Sequence, residues 1–239
     1  LLWIAGHSGP ETAEDSRTHF GIFAPGVTQL FPKGHIINLH PWEHNDVAPA
    51  LAAAFSTDVP IVALHLTRPA IEVPDREKMG IASHFEASKG AYLIRDYDER
   101  PHEGVVIVRG TSSTNTVVSI LDDISSKFNV KIVSAISWEL FDMQDSKYKS
   151  SIIGNQEWAD SMVITNTGLN VMKNWISNRV VADYSLSPDW DNRWRTGGSL
   201  EQIIDEAHLS PRWVMKSIDK FTTERSKRLE RLKQEIPEN

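Results

Sequence analysis

Short apolar runs recur along this chain at helix-length intervals, and that alternation narrows its fold class more than any other feature. Residues 1–5, 35–39 and 60–66 are rich in Ile, Val and Leu and are bounded by turn residues. Between them, 18–31 and 43–55 suit helices, the second starting after Pro41. Strand–helix–strand order with short links indicates parallel βαβ units, hence an α/β fold. Strands this uniformly apolar are expected to be covered on both faces. A strand as the first residues, with no Met before it, predicts that the chain begins within a larger fold.

Residues 69–103 change character. Pro69, Pro74 and Pro101 punctuate a charged stretch whose compact apolar run is Tyr92-Leu93-Ile94, which reads as an extended linker. Residues 104–221 resume the alternation, with strands expected at 104–108, 130–135, 162–165 and 180–184. A helix is expected near 114–128, and two more at 199–207, with Ser199 as N-cap, and at 210–221, with Pro211 in its first turn. Residues 222–239 are almost wholly polar with nearly balanced charge, which predicts a solvated terminal helix or tail rather than a nucleic-acid arm.

The 239 residues provide ample core for one large or two ordinary domains. The absence of cysteine excludes disulfides, thiolate metal sites and cysteine nucleophiles, and fits a cytoplasmic setting. A net charge of −7 argues against a general nucleic-acid binder, and no run has the length of a membrane span.

The residues with chemistry gather after the first strand: His7, then Asp15 and His19 on the following loop. Ligands of open α/β sheets bind at such strand ends. A His-Asp-His set fits metal binding, acid–base catalysis or plain helix capping by Asp15 or Thr18. No Gly-x-Ser-x-Gly elbow supports Ser8 or Ser16 as a nucleophile. His35, His40 and His44 have a zinc-like spacing, but no carboxylate or thiolate completes a tetrahedral set, and they read as surface or helix-start residues. Trp138, Trp158, Trp175, Trp190, Trp194 and Trp213 read as core and interface anchors.

The spacing of His7, Glu14, Asp15, Thr18 and His19 matches, without a gap, a pattern of the transketolase pyrimidine-binding domain. Residues 59–68, ending in Thr67-Arg68, resemble that family's strand with a terminal Ser/Thr-Arg pair. Lys89-Gly90-Ala91-Tyr92 is similar to its interdomain crossing, and the run from Ser134 to Gln144 resembles a segment of its C-terminal domain. The likeness is clear to about residue 150 and thin beyond it. It implies a three-layer α/β/α architecture with mostly parallel sheets. A partial pyrimidine-binding domain (1–68) and linker (69–103) would precede a smaller C-terminal α/β domain (104–221) and a polar tail (222–239).

The resemblance further implies transfer of a two-carbon ketol unit between phosphorylated sugars, with thiamine diphosphate and Mg²⁺ as cofactors. His19 and His7 would be catalytic, His19 at the donor's hydroxyl and carbonyl and His7 near its phosphate. Asp15 would accept from a substrate hydroxyl and Arg68 would clamp phosphate, with Arg17 and Lys33 as weaker cations. The main cofactor determinants of the family lie upstream of residue 1, and no metal ligand is assigned. The resemblance therefore implies a missing N-terminal half, on the same polypeptide or a separate subunit, and a homodimer. It also implies an unpaired apolar sheet edge and no productive cofactor binding by these residues alone. The loops 8–13 and 16–21 depart from the family pattern and leave the sugar donor open. Two other readings stand beside it: a non-catalytic assembly or regulatory module, and another thiamine-diphosphate enzyme such as a deoxyxylulose-phosphate synthase or a 2-oxo-acid dehydrogenase subunit.

Overall fold

The computed structural model describes residues 1–195 and 197–235, and its strands form two sheets. β1 (Leu2–Ala5), β2 (Ile36–Leu39) and β3 (Ile61–His65) make a parallel sheet in the order β1-β3-β2. Leu2 pairs with Val62 and Ala5 with His65, so β1 and β3 end side by side. Helix α1 (His44–Phe55) joins β2 to β3; Glu43 caps it by accepting from the Asn45 N–H at 2.7 Å.

The second sheet has β4 (Ala91–Arg95), β5 (Val105–Arg109), β6 (Lys131–Ala135) and β7 (Ser161–Thr165) in the order β4-β6-β5-β7. Only β4 runs antiparallel to its neighbour. Helices α2 (Thr111–Ser119) and α3 (Leu121–Lys127) connect β5 to β6. Between β6 and β7 lie α4 (Trp138–Asp142), α5 (Ser146–Ile152) and α6 (Asn155–Ala159). After β7 come α7 (Arg179–Tyr184), α8 (Leu200–Glu206), α9 (Pro211–Thr223) and α10 (Arg225–Glu235).

The fold is thus α/β with mostly parallel sheets, and the period-two alternation of β5 shows why its strands are apolar on both sides. Val106 and Val108 enter one core with Ile132, Ile164 and Phe221, whereas Val105 and Ile107 enter another with Val133, Phe141 and Trp175. The first of these cores continues through Ile37, Leu39 and Leu64 of the other sheet, so the two sheets share buried surface. A buried polar cluster seals the joint. The Tyr92 hydroxyl donates to Asp46 Oδ2 at 2.9 Å and accepts from Trp42 Nε1 at 2.6 Å. Arg76 pairs with Asp46 at 2.7 Å and with Glu43, beneath the rings of Trp42 and Tyr92.

Several expectations change. The cover expected on both faces of every strand fails at β1, where Leu2, Trp3 and Ile4 are exposed, while its place at the sheet edge is the unpaired apolar edge that the resemblance implies. Residues 18–31 form 3-10 turns (Arg17–His19 and Ala24–Leu30) rather than a helix, as Gly21, Pro25 and Gly26 interrupt the ladder. The 69–103 stretch is not all linker, since it supplies β4 and a 3-10 turn at His84–Lys89. The helix expected near 114–128 is divided at Ile120. Residues 180–184 are helical, started by Asn178, whose side chain accepts from the Val181 N–H at 2.9 Å; Leu186 bridges to β7 instead. Ser199 caps α8 as expected, in a capping box with Gln202. Helix α10 is only partly solvated: Arg228 is buried against Asp160 and over the Phe221 ring, and Leu232 is buried. Residues 236–239 of the tail lie outside the described residues.

Tyr92→Phe strands the Trp42 N–H and removes one donor from Asp46. Urea unfolding is expected to show a loss of about 1–3 kcal/mol, the usual cost of orphaned buried polar groups.

Candidate functional site

Because β1 and β3 are adjacent and parallel, the residues that follow them emerge together: Gly6 to Gly9 beside Leu66 to Arg68. The Ser8 N–H donates to the Leu66 carbonyl at 2.9 Å and locks the two exits. The chain then turns back, and Gly9 and Gly21 pair as an isolated antiparallel bridge. A Cβ on Gly21 would fall 1.6 Å from the His7 carbonyl oxygen, so this close approach requires glycine. Thr12 donates to the His19 carbonyl and, at 3.1 Å, is also within reach of the Gly9 carbonyl. Ser16 caps the turn that carries His19, accepting from the Thr18 N–H at 3.3 Å.

This folding brings His7, Asp15, His19 and Arg68 into one half-exposed cluster. The rings of His7 and His19 lie 4.7 Å apart. Arg68 contacts Asp15, donates to the Thr12 carbonyl at 3.4 Å, and reaches His19 Nδ1 at 3.2 Å. A guanidinium only donates, so Nδ1 of His19 is the acceptor and its proton sits on Nε2. Asp15 Oδ2 lies 3.7 Å from the same Nδ1. Partial burial, then the charge of Arg68 and that of His19 when it is protonated, lower the pKa of His7, while Asp15 opposes them. Arg17 is not part of the cluster: it is exposed, and its carbonyl accepts from Trp194 Nε1 at 2.7 Å. Lys33 lies elsewhere, paired with Asp142 at 2.9 Å.

Two groups that hold the cluster escaped the sequence reading. Glu11 is buried on the same loop; Oε1 accepts from Asn166 Nδ2 and Oε2 from Ser112 Oγ, both at 2.9 Å. Burial raises its pKa against the pull of those hydrogen bonds. Its only sequence signal is a lone carboxylate beside Pro10. Beneath the cluster, His65 and His40 are buried and stacked, with centroids 4.5 Å apart. The surface reading therefore fails for His40, which the β2 exit points inward, but holds for the exposed His35 and His44. His65 Nε2 faces Thr28 Oγ1 at 3.2 Å and Asn38 Oδ1 at 3.4 Å, and Nδ1 faces Ser8 Oγ at 3.4 Å. Thr28 spends its own proton on the Pro25 carbonyl, so His65 carries its proton on Nε2. Burial and Arg109 lower His65 to about 3, and lower His40 as well. Among the described residues no three His, Asp or Glu side chains converge as a metal site. Trp138, Trp158 and Trp175 pack together as anchors, while Trp190 and Trp194 are exposed.

The chain matches known proteins over much of its length. A chloroplastic transketolase of Craterostigma plantagineum is 27% identical over 158 residues, covering 64% of this chain and 28% of its own length. The transketolase of Leishmania mexicana superimposes with a TM-score of 0.74 at 16% identity, over 93% of this chain and 30% of that one. A Pichia stipitis transketolase in complex with sedoheptulose-7-phosphate gives 0.70 at 19% identity, over 94% and 30%. This chain is similar to the C-terminal portion of transketolases. The transketolase-like chain spans less than a third of the length of these relatives. No family model matches it. Among the described residues no helix is long and apolar enough to cross a membrane.

Two titrations check this geometry. In histidine NMR, Arg68→Met should raise the His7 midpoint and Asp15→Asn should lower it, as the signs of the neighbouring charges require. For His65 the folded pKa lies below the unfolded value of 6.5, so the native state binds fewer protons and stability is lost as pH falls from 6.5 towards about 3. Urea unfolding of His65→Asn should show a shallower loss over that window than the parent.

Proposed function

We propose that this chain supplies the sugar-handling part of a transketolase-type enzyme, which moves a two-carbon ketol unit from a ketose phosphate to an aldose phosphate. The observation that carries this reading is the convergence of His7, Asp15, His19 and Arg68, drawn from two strand exits, at an accessible position. Such a set suits a phosphorylated polyol. His19, with its proton on Nε2, offers a donor towards a substrate carbonyl or hydroxyl. Asp15, when ionised, accepts from a hydroxyl, and the fork of Arg68 matches phosphate oxygens. His7, whose pKa burial and Arg68 lower, is able to take up a proton in its neutral form. Substrate phosphate would compete with Asp15 for Arg68, releasing the carboxylate for the sugar hydroxyl. The sugar phosphate named with the Pichia stipitis relative belongs to this substrate class.

Thiamine diphosphate and Mg²⁺ follow from the family resemblance, but the described residues offer no converging carboxylate set for a metal-bound diphosphate. Their binding would fall to a part outside the matched third of the relatives, on the same polypeptide or a separate subunit. The exposed apolar edge of β1 is the natural seam for that part, with a homodimer completing the assembly. Residues 1–68 would then be part of a pyrimidine-binding domain, and 104–221, joined by β4, the C-terminal domain. A cytoplasmic setting remains part of this proposal.

The test is ketol transfer assayed with the cofactor-binding part supplied. His19→Ala should lower turnover by roughly 10²-fold, the scale of a positioned acid–base group. Arg68→Ala should raise KM for phosphorylated donors and spare unphosphorylated ones. Equal losses with both donors would remove the phosphate role. Absence of any turnover would favour the non-catalytic module, and pyruvate decarboxylation would favour a different thiamine-diphosphate enzyme.

A further inference from the structure

Arg109 closes β5 and is 3% exposed. Its Nη2 donates to Thr167 Oγ1 at 2.7 Å and its Nη1 to the Val171 carbonyl at 3.3 Å, both uncharged acceptors. Its Nε–H is buried without a partner. Among the described residues no carboxylate forms an ion pair with it, and the buried histidines nearby are neutral. Glu139 is the negative charge that bears on it, but its oxygens are held by the Asn38 N–H at 3.2 Å, Asn38 Nδ2 at 3.0 Å and Ser137 Oγ at 3.2 Å. Burial lowers the Arg109 pKa to about 9, so the group stays charged at neutral pH. A buried cation with one donor idle and no counter-charge is costly unless something else completes it.

The space beside Arg109 is about 20 Å³, enough for one water-sized group, and it abuts a cleft of about 400 Å³. Gln29, Asn38, Trp138, Glu139 and Asn174 line both. Phe31, Pro32 and Met143 give the outer cleft apolar walls, Lys173 adds positive charge, and Lys33 lies there paired with Asp142. The position is telling. Arg109 ends β5, Ser137 and Glu139 follow β6, and Val171 and Asn174 follow β7, so the cleft opens at the carboxyl ends of the second sheet's parallel strands, where α/β sheets take ligands. None of His7, Asp15, His19 or Arg68 lines it.

We propose that this cleft binds a small monocarboxylic acid, one carboxylate oxygen in the small space lined by the Arg109 guanidinium and the less polar body against Trp138 and Phe31. The inner space admits a single oxygen rather than a tetrahedral phosphate. Glu139 at the same wall repels a dianion more than a monoanion.

The test titrates the full chain with phenylacetate, with phenylacetamide as the uncharged control and inorganic phosphate as the dianion. Calorimetry should give saturable phenylacetate binding in about the millimolar range, as expected for a ligand of this size. The Trp138 indole and His40 ring resonances should shift with the same isotherm. Arg109→Met should weaken binding about tenfold or more, in line with the loss of a charge-assisted hydrogen bond. Gln29→Glu, which places a carboxylate in the shared wall and leaves Arg109 in place, should do the same if Arg109→Met fails to fold. The proposal is overturned if phenylacetamide binds as well as phenylacetate, if phosphate binds more tightly, or if the shifts map away from the cleft. It also fails if folded Gln29→Glu binds phenylacetate like the parent.

Discussion

The joint between the two sheets rests on one buried ionic cluster, Arg76 held by Asp46 and Glu43 under the rings of Trp42 and Tyr92. Ions at such depth are tolerated because they are paired: Arg76 Nη2 serves both carboxylates although its Nε–H has no partner, and Tyr92 takes the second oxygen of Asp46 and closes the chain of bonds through Trp42. Burial still shows in Asp46, whose pKa rises to about 6 despite Arg76. The cluster draws on α1, on the stretch before β4 and on β4 itself, so it orients the antiparallel edge of the second sheet against the first. With that orientation set, the apolar faces of Leu39, Leu64, Val106 and Ile132 close into a common core.

The candidate site depends on this joint at a second point. Glu11 crosses from the loop after β1 to Ser112 and Asn166, which stand at the carboxyl ends of β5 and β7. The loop bearing Asp15 and His19 is therefore braced by the second sheet, while His7 and Arg68 are placed by the first. Trp194 adds a further brace, its ring against Phe20 and its N–H on the Arg17 carbonyl. A cluster built from both bodies of the fold has its geometry set by packing rather than by the intrinsic preference of a short loop.

Much of this was legible in the residues. The strands at 35–39, 60–66, 104–108, 130–135 and 162–165 read correctly within a residue or two, because buried parallel strands leave unmixed apolar runs, and the exposed edge strand at 1–5 carries the same kind of run. The helix after Pro41 and the Ser199 cap were equally readable from local chemistry. Residues 180–184 misled, since Val-Val-Ala-Asp-Tyr has strand composition; the Asn178 cap made it a helix, and Leu186 took the edge of β7. The stretch 18–31 misled in the other direction, its apolar spacing broken by glycine and proline. The inward turn of His40 had no local signal at all.

What the residue order decided alone is the α/β class, the strand exits and the motif spacing that places His7, Asp15 and His19 on one loop, all of which follow from short-range preference and period. Tertiary structure decided the rest. Parallel pairing of β1 with β3 carried Arg68 to that loop across the intervening chain, and the docking of the sheets buried Glu11, His65 and Arg109. Burial is a property of what the remote chain covers. For that reason the neutral histidines and the uncompensated guanidinium emerge only when both sheets are in place.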